Sequence, residues 1–169
     1  MSREWWLTAL GWAAVALSLA GVSLWAYDTW EVTQPVAFNH KRHVDWGISC
    51  DGCHAGAKDA AKATIPGVSV CALCHQPGQS EPKTPQTLAD YIQEGREIPW
   101  RKVYQAPPHV RFSHKRHVEL GRLECRSCHG DVASMERPVG RQAVPLHMER
   151  CMDCHRREKV TTDCMACHR

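Results

Sequence analysis

The chain has 169 residues, a formal net charge of +3 and a hydrophobic content of 43%, which suits one small domain and an anchor. So mild a charge balance argues against nucleic-acid binding, and no nucleic-acid partner is expected. Only two Phe and three Tyr are present, and part of the hydrophobic content lies in the amino-terminal segment and in ten Cys. A large conventional core is therefore excluded.

An apolar run without formal charge occupies residues 7–27. As a helix with a rise of about 1.5 Å per residue, this run is long enough to span a hydrocarbon layer of about 30 Å. Aromatic residues at both ends are typical of membrane interfaces. Ser18-Leu19-Ala20 would suit a signal peptidase, but the apolar run continues well past that point. We predict an uncleaved anchor over residues 1–31, with one transmembrane helix at about residues 7–27.

Five copies of the pattern Cys-x-x-Cys-His follow the anchor and use all ten cysteines. This pattern is the attachment signature of c-type haem, in which two thiols bond to the porphyrin and the histidine ligates the iron. Zinc sites do not need a histidine directly after every second cysteine, so zinc and disulfides are disfavoured. We predict five covalently bound c-type haems, attached through Cys50 and Cys53, Cys71 and Cys74, Cys125 and Cys128, Cys151 and Cys154, and Cys164 and Cys167. The proximal iron ligands would be His54, His75, His129, His155 and His168.

Five porphyrins are a large apolar load for so short a chain, and the haems themselves should form the core. We predict a mostly irregular and α-helical fold that depends on its cofactors, as small metal domains depend on their metal.

An internal repeat divides the domain. Phe, His, Lys, Arg, His, Val, an acid and Gly occur in the same order in residues 38–47 and 112–121, each time just before a haem motif. This predicts a first haem-binding half at residues 32–78, with haems 1 and 2, and a second half at residues 109–169, with haems 3 to 5.

Residues 79–108 form a linker rich in proline and charge. Thr87 with an acid three residues on resembles a capping box, and Gly95 suits a helix end. We predict one short helix here, with an apolar face formed by Leu88, Tyr91 and Ile92.

The histidines left over from the motifs indicate how the irons are ligated. His40 and His43 are three residues apart, as are His114 and His117, so on a helix each pair projects from one face. Two rings on one face cannot bind one iron from opposite sides, and each pair must serve two different haems. With His109, these residues give five distal ligands for five irons.

Three further side chains are reserve distal ligands: Met148, His147 and Met135. Methionine sulfur is an alternative axial ligand that raises the reduction potential. Histidine can occupy both axial positions of every iron. We therefore expect electron transfer rather than catalysis at a haem, and no catalytic residue is assigned.

With these residues identified, the chain resembles the pentahaem membrane-anchored cytochrome c subunit of alternative complex III, a bacterial quinol-oxidising complex. The Phe-x-His-x-x-His element is shared with many class III cytochromes c, and a class III-like multihaem fold is implied. The chain differs from this family at His147, where we expect a small residue. The resemblance covers the anchor, Gln34-Pro35-Val36-Ala37-Phe38-Asn39-His40, Ile98-Pro99-Trp100, His109-Val110-Arg111-Phe112-Ser113-His114, Met135, Met148 and Cys167-His168-Arg169.

The resemblance implies an electron-transfer subunit of a quinol-oxidising respiratory or photosynthetic complex, anchored in the lipid of the bacterial inner membrane with its haem domain on the periplasmic side. Expected partners are an integral-membrane quinol-binding subunit, an iron–sulfur subunit, and a downstream cytochrome c or terminal oxidase. The alternatives are the equivalent subunit of a quinone-reducing or molybdopterin-linked complex, a haem enzyme of the nitrite reductase type, and a free-standing quinol dehydrogenase of the small tetrahaem type.

Overall fold

The structure is a computed structural model that describes residues 3–28, 30–78 and 83–168. The chain forms two units, residues Met1–Val32 and Thr33–Arg169. Within the described ranges there are no strands, only helices, helical turns and one isolated antiparallel bridge between Val110 and His168. The predicted fold class, mostly irregular and α-helical, is confirmed. The helices are α1 (Arg3–Asp28), α2 (His40–Asp45), α3 (Cys50–Cys53), α4 (Val68–Ala72), α5 (Gln86–Glu94), α6 (Arg126–His129), α7 (Met148–Arg157) and α8 (Cys164–Cys167), with a π-helical turn at Arg116–Leu120 and a 3-10 turn at Val132–Ser134.

Helix α1 contains a segment, Trp5–Ala26, that is long and apolar enough to cross a membrane. The segment begins two residues before the predicted span because Trp5 and Trp6 continue the helix. Two polar side chains within it are satisfied locally, since the Thr8 hydroxyl donates to the Trp5 carbonyl and the Ser18 hydroxyl donates to the Ala14 carbonyl, both at 2.9 Å. Such internal hydrogen bonds are what a hydrocarbon environment requires of polar groups.

The predicted linker helix is present as α5, but its start differs from the prediction. Pro85 is the N-cap residue, and Thr87 lies inside the helix, so the capping box at Thr87 is wrong. The Asp90 carboxylate instead accepts a 2.7 Å hydrogen bond from the Gln86 side chain. Gly95 ends the helix in the left-handed conformation, with φ of 62°, as glycine at this position commonly does.

A small apolar core surrounds α5. Leu88, Val36, Val68 and Ile98 are all at most 9% exposed and pack together. Full burial of each such side chain stabilises the fold by about 1.5–3 kcal/mol. None of the described residues from 99 to 168 is buried, so protein packing alone gives the second half no core.

Gln34 connects three parts of the second unit. Its side-chain nitrogen donates to the carbonyls of Arg101 and Val139 at 2.8 and 3.0 Å, and its side-chain oxygen accepts from the Arg101 amide at 3.0 Å. The start of the domain is thereby fixed to the linker and to the second half.

Candidate haem centres

The first copy of the repeat projects two imidazoles from α2. The Asn39 side chain accepts a 2.8 Å hydrogen bond from the Arg42 amide and so starts the helix at His40, as a capping residue does. The Phe38 ring stacks on His43 at 4.4 Å between ring centres and contacts His40 edge-on at 4.7 Å. One phenyl ring thereby orients both histidines.

The second copy has the same arrangement. The Phe112 ring stacks on His117 at 4.6 Å and contacts His114 edge-on at 4.8 Å. The Ser113 hydroxyl replaces the asparagine cap and accepts from the Arg116 amide at 3.4 Å. The chain then continues as a π-helical turn instead of an α-helix, a deviation that is frequent at functional sites.

Four of the Cys-x-x-Cys-His motifs form a short helical turn, and the fourth in the sequence, Cys151 to His155, lies within the longer helix α7. The amides of His54, His75 and His168 donate to the carbonyl of the first cysteine of their own motif at 2.8 Å, and the amide of His129 does so at 3.0 Å. Such a turn brings residues four apart to the same face. The first thiol and the imidazole of a motif therefore lie near one another.

Four motif histidines lie opposite one of the predicted distal histidines. The separations between ring centres are 6.0 Å for His43 and His75, 6.4 Å for His114 and His129, 6.1 Å for His117 and His155, and 5.6 Å for His109 and His168. The fifth motif histidine, His54, is an electrostatic neighbour of His40. Two metal–nitrogen bonds of about 2 Å each place the ring centres of a bis-histidine complex about 6 Å apart. The measured pairs therefore have the spacing that an axially ligated haem iron requires.

Four of these ten imidazoles have Nδ1 close to a backbone carbonyl, and this hydrogen bond decides the tautomer. With the proton on Nδ1, the ring donates to a carbonyl and leaves the Nε2 lone pair free for a metal. The Nδ1 to carbonyl distances are 2.8 Å from His43 to Asn39, 2.9 Å from His54 to Thr64, 2.8 Å from His117 to Ser113 and 2.6 Å from His155 to Thr161. His114 is less well defined, because its Nδ1 lies 3.3 Å from the Ala61 carbonyl and 3.4 Å from the Ala63 amide, and only one of these contacts fits each tautomer.

Burial favours the neutral form of three of the rings. Desolvation lowers the pKa of His40 to about 4, with smaller contributions from His54 and His43. Burial also lowers the pKa of His75 and of His129. A neutral imidazole is the form that ligates a metal, so these environments suit haem iron. Among the described residues, no three His, Cys, Asp or Glu side chains come together as a metal-ion site without haem.

Comparison with known proteins agrees with this geometry. Residues 24–96 match the class III cytochrome c family, and residues 110–169 match cytochrome c7 and related cytochromes c. A multiheme cytochrome c subunit of a menaquinone reductase from Nitratidesulfovibrio vulgaris is 32% identical over 161 residues, covering 80% of this chain and 77% of the relative. The chain is a multihaem c-type cytochrome. Covalently bound c-type haem is therefore its cofactor.

The motifs of the cytochrome follow one another in space in an order that differs from their order in the sequence. Burial raises the pKa of the Cys53 thiol, and the nearby Cys74 of motif 2 adds to the shift. Burial likewise raises the pKa of Cys125, and the nearby Cys50 of motif 1 adds to the shift. Motif 1 is thus a neighbour of both motif 2 and motif 3.

The remaining motifs extend the series. Burial raises the pKa of Cys128, with a contribution from Cys154 of motif 4, and burial raises the pKa of Cys151, with a contribution from Cys167 of motif 5. The spatial succession of motifs is therefore 2, 1, 3, 4, 5.

The two halves hold each other through reciprocal backbone hydrogen bonds. The Lys41 amide in α2 donates to the Met135 carbonyl behind motif 3 at 3.0 Å. In return, the amides of His114 and Lys115 donate to the carbonyls of Ala61 and Ala60 behind motif 1, at 3.0 and 2.9 Å. The backbone of each histidine pair is thereby held against the segment that follows the first haem motif of the opposite half.

The three reserve ligands make other contacts or are exposed. The His147 Nδ1 accepts from the Arg150 amide at 3.4 Å as the N-cap of α7 and lies 3.1 Å from the Glu149 carboxylate. Met148, the first residue of α7, is 60% exposed, and Met135 contributes the backbone carbonyl already described. His109 is the predicted distal ligand that faces motif 5, where the Arg111 amide donates to the Cys167 carbonyl at 2.7 Å.

Sequence analysis did not single out Tyr104. Its ring contacts His129 edge-on at 4.5 Å, and its hydroxyl accepts a 3.1 Å hydrogen bond from the Val144 amide. The scarcity of Tyr in the chain is the only signal that could have drawn attention to it.

Proposed function

We propose that the chain is the pentahaem electron-relay subunit of a membrane-bound quinone oxidoreductase complex. The observation that carries the proposal is that the five motif histidines each have a second histidine as neighbour, so no iron needs an open position. The proposed axial pairs are His54 and His40 for haem 1, His75 and His43 for haem 2, His129 and His114 for haem 3, His155 and His117 for haem 4, and His168 and His109 for haem 5.

A c-type haem held between two imidazoles supplies reversible one-electron transfer. The residues of the chain bind the haems, fix the ring orientations through Phe38 and Phe112, and fill both axial positions. The succession 2, 1, 3, 4, 5 supports a continuous relay, since each motif is adjacent to the next. Substrate chemistry at an iron would need an axial position that this ligand set leaves occupied.

Helix α1 and the similarity to the menaquinone reductase subunit support the following partners. Helix α1 would anchor the chain in the inner membrane with its haem domain on the periplasmic side, where c-type haem is attached. An integral-membrane quinone-binding subunit and an iron–sulfur subunit would connect the haems to the quinone pool. A periplasmic cytochrome c or a terminal oxidase would be the other redox partner.

Two directions of electron flow are distinguished by specific observations. The motifs that resemble the pentahaem subunit of alternative complex III favour quinol oxidation. The relative from N. vulgaris is a subunit of a menaquinone reductase, and its similarity favours quinone reduction.

The proposal is tested by purifying the tagged full-length chain from its host membrane in mild detergent, with the untagged chain as control. We expect an iron–sulfur protein and a polytopic membrane protein to copurify, and a ferric spectrum that is entirely low-spin. Isolation of the chain alone, or a high-spin haem, would contradict the relay. A potentiometric titration of the haems, compared with the potential of the menaquinone pool, assigns the direction of electron flow.

A further inference from the structure

The internal repeat supplies two histidine pairs that are matched on their distal side. His43 and His117 occupy equivalent positions, and the Nδ1 of each lies 2.8 Å from the carbonyl of the residue four before it. Each ring is stacked on the phenylalanine of its own repeat, at 4.4 Å for His43 and 4.6 Å for His117, with the same interplanar angle of 26°. The distal ligands of haems 2 and 4 are therefore near copies of one another.

The proximal histidines of haems 2 and 4 differ in the hydrogen bonding of Nδ1. The Nδ1 of His155 lies 2.6 Å from the Thr161 carbonyl. The Nδ1 of His75 is sealed from solvent and has no hydrogen-bond partner among the described residues. The His75 ring lies 6.0 Å from the His43 ring, measured between ring centres. Haem 4 thus has two imidazoles with engaged Nδ1 atoms, whereas haem 2 has one.

A hydrogen bond from Nδ1–H to a carbonyl makes the imidazole a more basic ligand. A more basic ligand donates more charge to the iron and favours the ferric state. The ring of His75, whose Nδ1 has no partner, is a weaker donor, so the ferric state of its haem is less favoured.

We propose that haem 4 has a lower reduction potential than haem 2, and that the difference is set by the proximal hydrogen bond from His155 to the Thr161 carbonyl, which His75 lacks. The inference rests on the axial pairs of the proposed function. In the spatial succession 2, 1, 3, 4, 5, net transfer of an electron from haem 4 to haem 2 is then energetically downhill.

The test compares two equivalent variants of the haem-loaded full-length protein, His43→Met and His117→Met. Methionine raises the potential of the haem it ligates, so each variant moves one component of a spectroscopically monitored potentiometric titration. We expect the component moved by His117→Met to titrate, in the wild type, at a lower potential than the component moved by His43→Met. The reverse order, or the same starting potential for both, would overturn the inference.

A second measurement on the wild type covers the case in which a variant does not assemble. NMR spectra of partly reduced protein distinguish the two haems, because the imidazole stacked face to face on Phe38 is the ligand of haem 2 and the one stacked on Phe112 is the ligand of haem 4, whereas His40 and His114 contact these rings edge-on. We expect the haem whose ligand is stacked on Phe38 to be reduced before the haem whose ligand is stacked on Phe112, and the reverse order would overturn the inference. Haem content and a low-spin spectrum test the axial pairs separately. If both are normal and the order of potentials is reversed, only the present inference fails.

Discussion

The sulfur atoms of Cys50 and Cys125 are electrostatic neighbours, although they belong to motifs in different halves of the domain. Because each of these sulfur atoms would bond to one edge of a porphyrin, haems 1 and 3 should meet at this contact. It is the point at which electrons would cross between the two halves.

This contact predicts magnetic interaction between haems 1 and 3. In His40→Met, haem 1 should acquire a higher potential, so that it can be reduced while haem 3 is still ferric. The EPR signal of haem 3 should then become narrower, since its paramagnetic neighbour is lost. His109→Met is the control. It should raise the potential of haem 5, so that haem 5 is reduced instead of haem 1 and the haem 3 signal stays unchanged. A haem 3 signal of constant width in both variants would contradict the contact.

The turn after His117 predicts that replacing Gly121 disturbs haem ligation, whereas replacing Gly47, at the equivalent position of the first repeat, does not. A Cβ on Gly121 would lie 2.7 Å from the His117 carbonyl, so the backbone of the ligand must shift in Gly121→Ala. We expect partial loss of His117 ligation and a high-spin component in the ferric absorption spectrum. In Gly47→Ala the Cβ meets nothing within 4 Å, and only φ of +83° is unfavourable, at about 1–2 kcal/mol. That control should unfold more easily but remain low-spin, and a low-spin Gly121→Ala would contradict the prediction.

The hydrogen bonds of Gln34 predict that replacing this residue lowers the stability of the protein. Gln34→Ala removes three hydrogen bonds that join the start of the domain to the linker and to the second half. At about 1 kcal/mol for each bond, the free energy of unfolding should fall by roughly 2–3 kcal/mol. Gln86→Ala removes one exposed side-chain contact to Asp90 and should lower it by less than about 0.5 kcal/mol. Guanidinium unfolding of the haem-loaded protein measures both variants, and equal effects would argue against a connecting role.

The contacts of Tyr104 predict that its ring and its hydroxyl affect haem 3 separately. Tyr104→Phe removes the hydrogen bond from the Val144 amide and the bond that the hydroxyl donates to the carbonyl of Val144 or of His129, at 3.2 and 3.4 Å. At about 1 kcal/mol for each bond this should cost roughly 1–2 kcal/mol of stability, while the ring contact with His129 remains. Tyr104→Ala removes both and frees the His129 ring. We expect the EPR g-values of haem 3 to change in the alanine variant and to be retained in the phenylalanine variant. A change of equal size in both would assign the effect to the hydroxyl.

The fold class could be predicted from the sequence because it follows from chemistry that is local in the chain. The Cys-x-x-Cys-His motif forms its own helical turn, and α5 ends at Gly95 as its sequence indicates. The start of α5 could not be located, since Pro85 competes with Thr87 as the cap and only the structure distinguishes them.

The candidate ligands were also accessible from sequence, since spacing alone separates His40 from His43 and His114 from His117. Their assignment to particular haems remains a prediction. The spatial order of the motifs and the partner of His109 were beyond sequence reasoning, because they depend on tertiary contacts such as that of the Lys41 amide with the Met135 carbonyl.

The distribution of buried side chains predicts how the chain behaves without its cofactor. The apolar core packs around Leu88 in the first half and the linker, whereas no described residue from 99 to 168 is buried. Without haem, the second half has no apolar burial to offset the entropy of ordering its backbone, about 1–2 kcal/mol per residue. We expect a chain produced in a strain without haem attachment to show rapid amide hydrogen exchange throughout residues 109–168. The haem-loaded protein, as control, should be protected in both halves, and protection of the second half without haem would mean that its protein contacts suffice for folding.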